Sequence, residues 1–442
     1  MADITFKGGK AEGKVSPPPS KSHTHRAIVL AALSGGKCRI SNPLISLDTE
    51  ATMDAVRAIG AEVSVENGEI VVECKEMHVP DKAIDVKNSG TTLRLMTGVC
   101  ATFDQVVTLT GDDSIRKRPM SPMLTSLYKA GVKAGSMNGN PPVQVRGPIV
   151  GDSLQIKGNV SSQFISGLLV AAPLAGHDMT VNVLGPMVSR PYIDITVEMM
   201  GRFGVRVEHT KGLNQVQAIV SVNRHTQGER TEVNIYSVKE QKYSPTDYSV
   251  PADFSSAAFP LVAGALGGKV TVSGMDMNDP QGDKKLLEIL EKVGCKIEYN
   301  GDEITCSKPS ELKAIEINMG EIPDLFPIVA VLLSTAKGTS RIYGAPQLRF
   351  KESDRIALTE KMLKALGADI TGTDDGCVIN GVERLHGGRI EHDGDHRMMM
   401  AAAVASIIAD GPVSMEDDGC WNVSYPGFVE QMQSLGISAD RV

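Results

Sequence analysis

The sequence predicts an α/β protein made of six copies of one helix-and-strand unit divided between two domains, and three observations carry that prediction. First, an apolar helix rich in small residues runs six times through a short polar or glycine-containing link into a strand. The copies are HRAIVLAALSGGKCRISNPL from His25, LRLMTGVCATFDQVVTLTGD from Leu93, FISGLLVAAPLAGHDMTVNVLGP from Phe164, FPLVAGALGGKVTVSGM from Phe259, FPIVAVLLSTAKGTSRIYGAP from Phe326 and MMMAAAVASIIADGPVSMED from Met398. Second, five copies are followed by an amphipathic helix that ends in Gly and by a hairpin-like strand pair, as in MDAVRAIGAEVSVENGEIVVE from Met53, LLEILEKVGCKIEYNGDEITC from Leu286 and MLKALGADITGTDDGCVING from Met362. Third, 442 residues exceed what one core organises; at about 150 residues per domain, two or three are expected.

The sixth copy stops at QMQSLGISADRV, before a last strand, while the amino-terminal ITFKGGKAEGKVSPP is strand-like with no helix ahead of it. The amino terminus is therefore expected to complete the carboxy-terminal half. This gives one three-unit domain over residues 20–248 and another over 1–19 plus 249–442, with crossings near Pro17 to Ser20 and near Tyr248 to Pro251. The third and fourth units are spaced more widely than the others, so extra chain is expected at the second crossing.

Composition excludes several classes of function. The chain is 41% hydrophobic and 22% charged, as in a globular protein, and no apolar run is long enough to cross a bilayer. The opening Met-Ala-Asp-Ile-Thr-Phe-Lys-Gly lacks the basic-then-apolar pattern of a secretory signal, so a cytoplasmic protein is expected. Seven cysteines are scattered without a Cys-x-x-Cys pair and read as buried, reduced thiols. A net charge of −8 and a single Trp argue against nucleic-acid binding, which needs a basic face and stacking rings. No metal cluster with ligand spacing is evident, and His392 and His396 read as helix-start residues.

A polar or glycine-rich motif precedes every first helix: PSKSHTHR, KNSGTTLR, GNVSSQ, VPADFSS, MGEIPD and DGDHR. Helix starts expose unpaired N–H groups and the positive end of the helix dipole, which favour carboxylate and phosphate oxygens. The starts of the second helices add cations, in IRKRPM (Arg116, Lys117, Arg118), SRPYID (Arg190) and RFKESDR (Lys351, Arg355). Lys21, Arg26, Arg94, Arg118, Arg355 and Arg397 stand beside Gly, Ser or helix starts and are candidates for ligand contact, whereas Lys284 and Lys285 read as a solvated face. Asp253, Asp324 and Glu352 are interleaved acids.

In this order, SKSHTHRA, NSGTTLR, RKRP, SSQF, SRPYIDIT, IPD, KESDR and DHRM make the chain resemble the 5-enolpyruvylshikimate-3-phosphate synthases of the enolpyruvyl transferase family, over nearly its whole length. The resemblance implies two inside-out, barrel-like α/β domains with the active site in the cleft between them, closing as the first substrate neutralises facing charges. It implies that Lys21 touches both substrates, that Ser22 and Arg26 hold the carboxylate of shikimate 3-phosphate, that Ser161, Ser162, Ser189 and Lys351 bind its phosphate, and that Gln163 and Tyr192 lie against it. Gly90, Arg118, Gln163, Arg355 and Arg397 would take phosphoenolpyruvate, and Asp324 the ring hydroxyls.

The implied reaction moves a carboxyvinyl group. The ring 5-hydroxyl adds to C2 of phosphoenolpyruvate as C3 is protonated, and the adduct expels phosphate. Asp324 is assigned as base, with Glu352 and Lys21 handling the C3 proton, and no cofactor or metal is called for. Shikimate 3-phosphate and phosphoenolpyruvate are the expected partners of a monomer, and Gly90 matches the form of the family that admits glyphosate as inhibitor. Three positions depart from the family: Val423 stands where a Lys is usual, Gln347 where an Asn is, and Leu95 where a Pro is common. The alternatives are the nucleotide-sugar enolpyruvyl transferase, which would need an essential Cys, and a non-catalytic anion-binding scaffold.

Overall fold

A computed structural model describes residues 3–215 and 230–441 of the chain. It divides into two compact units: Met1–Lys21, Leu44–Leu47 and Val250–Val442 form one, and Ser22–Pro43 and Asp48–Ser249 the other. Among the described residues there are six four-stranded sheets, three in each unit, and all six share one strand order. In each, an entry strand lies parallel to the strand that follows the first helix; in five, that strand pairs antiparallel with one strand of the hairpin, and the hairpin's other strand forms the edge.

The sheet around Met179–Leu184 shows the pattern, with Ser153–Lys157 as entry strand and Arg230–Val238 then Val207–Gln215 on the other side. The amino-terminal segment is two strands that serve two different sheets. Asp3–Lys7 pairs with both Val413–Glu416 and Ser438–Arg441, filling the place a hairpin strand takes elsewhere. Glu12–Val15 is the entry strand beside Lys269–Val272, and Tyr248–Ser249 plays that part for Lys37–Ser41.

The first helices are apolar on every side, and such helices are stable only when surrounded. Every residue of Phe326–Leu333 and His396–Ala405 is buried, as is nearly all of Phe254–Gly267, and these three helices pack against one another. In the other unit Gly90–Cys100 packs on Ser162–Ala171, where Gly98 and Gly167 meet backbone to backbone; a Cβ on Gly98 would collide with the Gly167 carbonyl. The second helices bury one face and end before glycines with positive φ: Gly60, Gly131, Gly204, Gly294, Gly367 and Gly436, at 79° to 108°. That left-handed position turns the chain into the hairpin at no Cβ cost.

One spacing expectation is corrected. The extra chain before the fourth unit lies in the third hairpin, whose strands Val207–Gln215 and Arg230–Val238 have 9 residues each against 5 in Glu62–Glu66 and Glu69–Glu73. The run from Val238 to Tyr248 is no longer than that from Glu73 to Ile84. Spacing between repeats cannot tell a long hairpin from a long crossover.

Candidate active site

In the unit containing Val250–Val442, three helix starts converge on one guanidinium. Arg355 opens helix Arg355–Ala365, capped by Asp354, whose side chain accepts from Ala357 N at 3.0 Å. Asp324 sits in the turn Pro323–Leu325 that leads into Phe326–Leu333, and Asp395 caps His396–Ala405 by accepting from Arg397 N at 3.0 Å. Arg355 is 1% exposed and donates Nε to Asp395 Oδ2 (2.8 Å), Nη1 to Asp324 Oδ1 (2.8 Å) and Nη2 to Glu352 Oε2 (2.7 Å). Its planar fork thus fixes three carboxylates at once.

Asp324 is shared. Arg397 Nη2 reaches its Oδ2 at 3.1 Å, and Lys351 Nζ lies 3.5 Å from Oδ1. Burial opposes the charge on Arg355, but Asp395, Glu352 and Asp324 outweigh it and push its pKa up. Burial likewise opposes the charge on Asp395, yet the Arg355 guanidinium holds its carboxyl below the usual range.

Two further acids lie in this unit. Asp253, 6% exposed, precedes Phe254–Gly267; burial raises its pKa against the pull of Arg397, a bond from Ser256 (2.7 Å) and Lys21. Asp283, 3% exposed in the turn Gly282–Lys285, accepts from Ser255 through Oδ2, while its Oδ1 is buried without a hydrogen-bond partner. Burial, then the negative charge of Asp324, raises Asp283 to about 7. The sequence reading missed Asp283, because the neighbouring Lys284 and Lys285 made the turn look solvated. Lys285 does pair at the surface with Glu321, but Lys284 folds back onto the carbonyls of Met277 and Asp279. Asp395 was also missed as a site residue, since in DGDHR it reads as a cap. His396 opens its helix as expected, and burial, then Lys21 and Arg397, lowers its pKa to about 3, so it is neutral at physiological pH.

In the unit containing Asp48–Ser249, a cationic group surrounds the start of Gly90–Cys100. Ser89 caps that helix, Arg94 Nη1 donates to Gly90 O at 3.0 Å, and Gln163 Nε2 donates to Thr91 Oγ1 at 3.1 Å. A Cβ on Gly90 would stand 2.7 Å from Arg118 Nη1 and 3.5 Å from Gln163 Oε1, and closer still to Arg94 Nη1. Gly90, Arg94, Arg118 and Gln163 are therefore one cluster, with Ser161 capping the helix that carries Ser162 and Gln163.

Arg26 forms a second group. At 2% exposure it donates Nε to Thr196 Oγ1 (2.7 Å), Nη1 to Ser22 O (2.9 Å), and Nη2 to Tyr192 O (3.0 Å) and Ser166 Oγ (3.3 Å). Its guanidinium thus ties helix Lys21–Leu33 to Pro191–Arg202 and Ser162–Ala171. Ser189 and Ser162 are each 4% exposed, and Ser189 holds φ at +53°, a left-handed conformation that is rare without glycine. Of the three departures, Gln347 is buried with Nε2 donating to Gly320 O (3.2 Å), Leu95 is buried in the helix that carries Arg94, and Val423 ends the turn Cys420–Val423.

Known proteins resemble the chain in sequence and fold. The family described as EPSP synthase (3-phosphoshikimate 1-carboxyvinyltransferase) matches residues 6–432. A protein of that name from Methanocorpusculum labreanum is 45% identical over 428 residues, 96% of each chain, and one from Methanococcus maripaludis is 36% identical over 443 residues, 99% of each. The solved EPSP synthase of Acinetobacter baumannii aligns with a TM-score of 0.78 and 28% identity over 100% of both chains. The enolpyruvyl transferase NikO of Streptomyces tendae, at 17% identity, shares the fold with a TM-score of 0.77 over 100% of this chain and 98% of its own. With matches of that length and identity, the chain belongs to the EPSP synthase family.

Proposed function

We propose that this chain is a 3-phosphoshikimate 1-carboxyvinyltransferase, which moves the enolpyruvyl group of phosphoenolpyruvate to the 5-hydroxyl of shikimate 3-phosphate and releases phosphate in the shikimate pathway. Beyond family membership, the observation that carries the reading is the shared carboxylate of Asp324, held by Arg355 and Arg397. Phosphoenolpyruvate brings its own carboxylate and phosphate to the same donors. Its arrival would loosen Asp324 and leave that carboxylate able to accept the proton of the attacking hydroxyl.

Lys21, Glu352 and Asp324 are the proton-handling groups in this scheme. As the C–O bond forms, the hydroxyl proton passes to Asp324, and Glu352 with Lys21 delivers one to C3. In the second step the C3 proton is removed, the C2–O bond to phosphate breaks, and inorganic phosphate leaves. Arg118, Arg355, Arg397, Gly90 and Gln163 would bind phosphoenolpyruvate. Ser22, Arg26, Ser161, Ser162, Gln163, Ser189, Tyr192 and Lys351 would bind shikimate 3-phosphate, mainly on the 20–248 half. The acids Asp324 and Glu352 belong to the 1–19 plus 249–442 half. Fixed cations stabilise the charge that develops on the carboxylate and phosphate.

Mixing the protein with both substrates and following phosphate release tests this. Release that needs both substrates is expected, and none from folded protein would overturn it. Among the described residues no helix is long and apolar enough to cross a membrane, and we place the enzyme in the cytoplasm as a monomer inhibited by glyphosate. A stable dimer in light scattering, or a rate unchanged by millimolar glyphosate, would overturn the corresponding part.

A further inference from the structure

Away from the Arg355 cluster, three side chains of different donor chemistry converge behind the turn that presents Asp395. His392 lies between strand Gly388–Arg389 and helix His396–Ala405, and Asp418 and Cys420 lie just after strand Val413–Glu416. His392 Nδ1 stands 3.8 Å from Cys420 Sγ and 3.9 Å from Asp418 Oδ2, and the three ligand atoms all fall within 4.8 Å of one another.

The imidazole is already set for coordination. Its side chain is 4% exposed, and Nε2 lies 3.0 Å from the Glu416 carbonyl, which can only accept. Nε2 therefore carries the proton, and Nδ1, the nitrogen nearest Cys420 and Asp418, is the acceptor. A histidine ligand braced through its other ring nitrogen by a carbonyl is the usual second-layer arrangement at metal sites. Asp418 is divided in the same sense: Oδ1 accepts from Cys420 N at 2.9 Å, and Oδ2 is the oxygen turned toward His392.

We propose that His392, Asp418 and Cys420 form a binding site for a divalent cation of the zinc type, with solvent as the fourth ligand. Bond lengths of about 2.0–2.3 Å around a tetrahedral zinc put neighbouring ligand atoms roughly 3.3–3.6 Å apart. The two separations from His392, 3.8 and 3.9 Å, therefore contract by roughly half an ångström, and Asp418 Oδ2 and Cys420 Sγ, within 4.8 Å of each other, close by at most about 1.3 Å. Imidazole, carboxylate and thiolate together select zinc over the hard cations magnesium and calcium. Two contacts yield on binding: Gly394 N–H, which donates to Nδ1 at 3.2 Å, and the Cys420 thiol, which donates to Met399 Sδ at 3.4 Å. The thiol proton leaves to solvent as the metal–sulfur bond forms. Asp418, 26% exposed, marks the entry side. Spacing along the chain hides the site, because two of its ligands lie on a different loop from the first.

The site has a structural consequence. Asp395 N donates to His392 O at 2.8 Å, so a metal on His392 would brace the turn that carries Asp395 to Arg355. The test uses untagged full-length protein, freed of metal by a chelator and titrated with Co2+ and then Zn2+. One equivalent of Co2+ should give a thiolate-to-cobalt charge-transfer band, displaced by Zn2+, with a raised melting temperature. Cys420→Ser should abolish the band. Asp418→Asn, at a partly exposed position that does not threaten folding, should weaken binding at least tenfold. Absence of the band in wild type, its persistence in Cys420→Ser, or unchanged affinity in Asp418→Asn would overturn the site.

Discussion

Asp324 holds Arg355 with one carboxylate oxygen at 2.8 Å and Arg397 with the other at 3.1 Å. The two arginines are 1% and 6% exposed, so this carboxylate joins two cations that water barely reaches. In that setting a hydrogen-bonded ion pair is strong, and whatever replaces Asp324 must be anionic.

Asp324→Ala is therefore expected to separate binding from chemistry. kcat should fall at least about a hundredfold, as for a lost proton-transfer group. KM for phosphoenolpyruvate should not rise, because Arg355 and Arg397 lose a competing carboxylate. Lys21→Met should show a similar fall in kcat. Steady-state phosphate release reads both, and near-normal turnover in either variant would remove that residue from the proton scheme.

What the sequence disclosed about this site follows from where the chemistry sits. Asp324, Arg355 and Arg397 were readable because each stands beside a helix start in a short polar motif. Asp395 was in plain view but looked like a cap, and it is one: the same carboxylate caps Arg397 and holds Arg355. Arg26 stood out as a cation near a helix start, but its partners Ser166, Tyr192 and Thr196 come from two later helices and appear only once those helices pack. The sixfold repeat was legible for a different reason. Apolar helix, strand, second helix and glycine are local signals, whereas the pairing of Asp3–Lys7 with Ser438–Arg441 is not.

Gly90→Ala should weaken phosphoenolpyruvate selectively. Its methyl group would press on the Arg94 and Arg118 guanidiniums, which are ends of flexible chains and move aside rather than unfold the helix. A rise in KM of about tenfold, equivalent to about 1.4 kcal/mol, is expected with KM for shikimate 3-phosphate nearly unchanged. Equal loss for both substrates would show that the cluster is not specific to phosphoenolpyruvate.

Arg355→Met should cost stability as well as activity. It leaves Asp395, which is 0% exposed, buried beside an apolar side chain, and breaking a buried pair in this way costs about 3–5 kcal/mol. Asp395→Asn added to Arg355→Met should recover part of that loss. The sign with pH follows from the lowered pKa of Asp395: its contribution is present above the unfolded value near 4 and is lost as pH falls through the lower folded value. Urea unfolding at pH 7 and below pH 4 tests this, and an equal deficit for Arg355→Met at both would contradict it.

Asp283 gives the opposite sign. Burial and the nearby charge of Asp324 raise its folded pKa to about 7, above an unfolded value near 4, so the folded chain binds this proton more tightly than the unfolded chain. No penalty exists below pH 4, where both states are protonated; it grows between pH 4 and 7 and is complete above pH 7. Asp283→Asn keeps an acceptor for Ser255 and cannot ionise. Relative to wild type, the variant should gain about 1–3 kcal/mol between pH 5 and pH 8 in urea unfolding. A wild-type-minus-variant difference that stays flat over that range would mean Asp283 does not titrate there, and that the acids around Asp324 do not repel it.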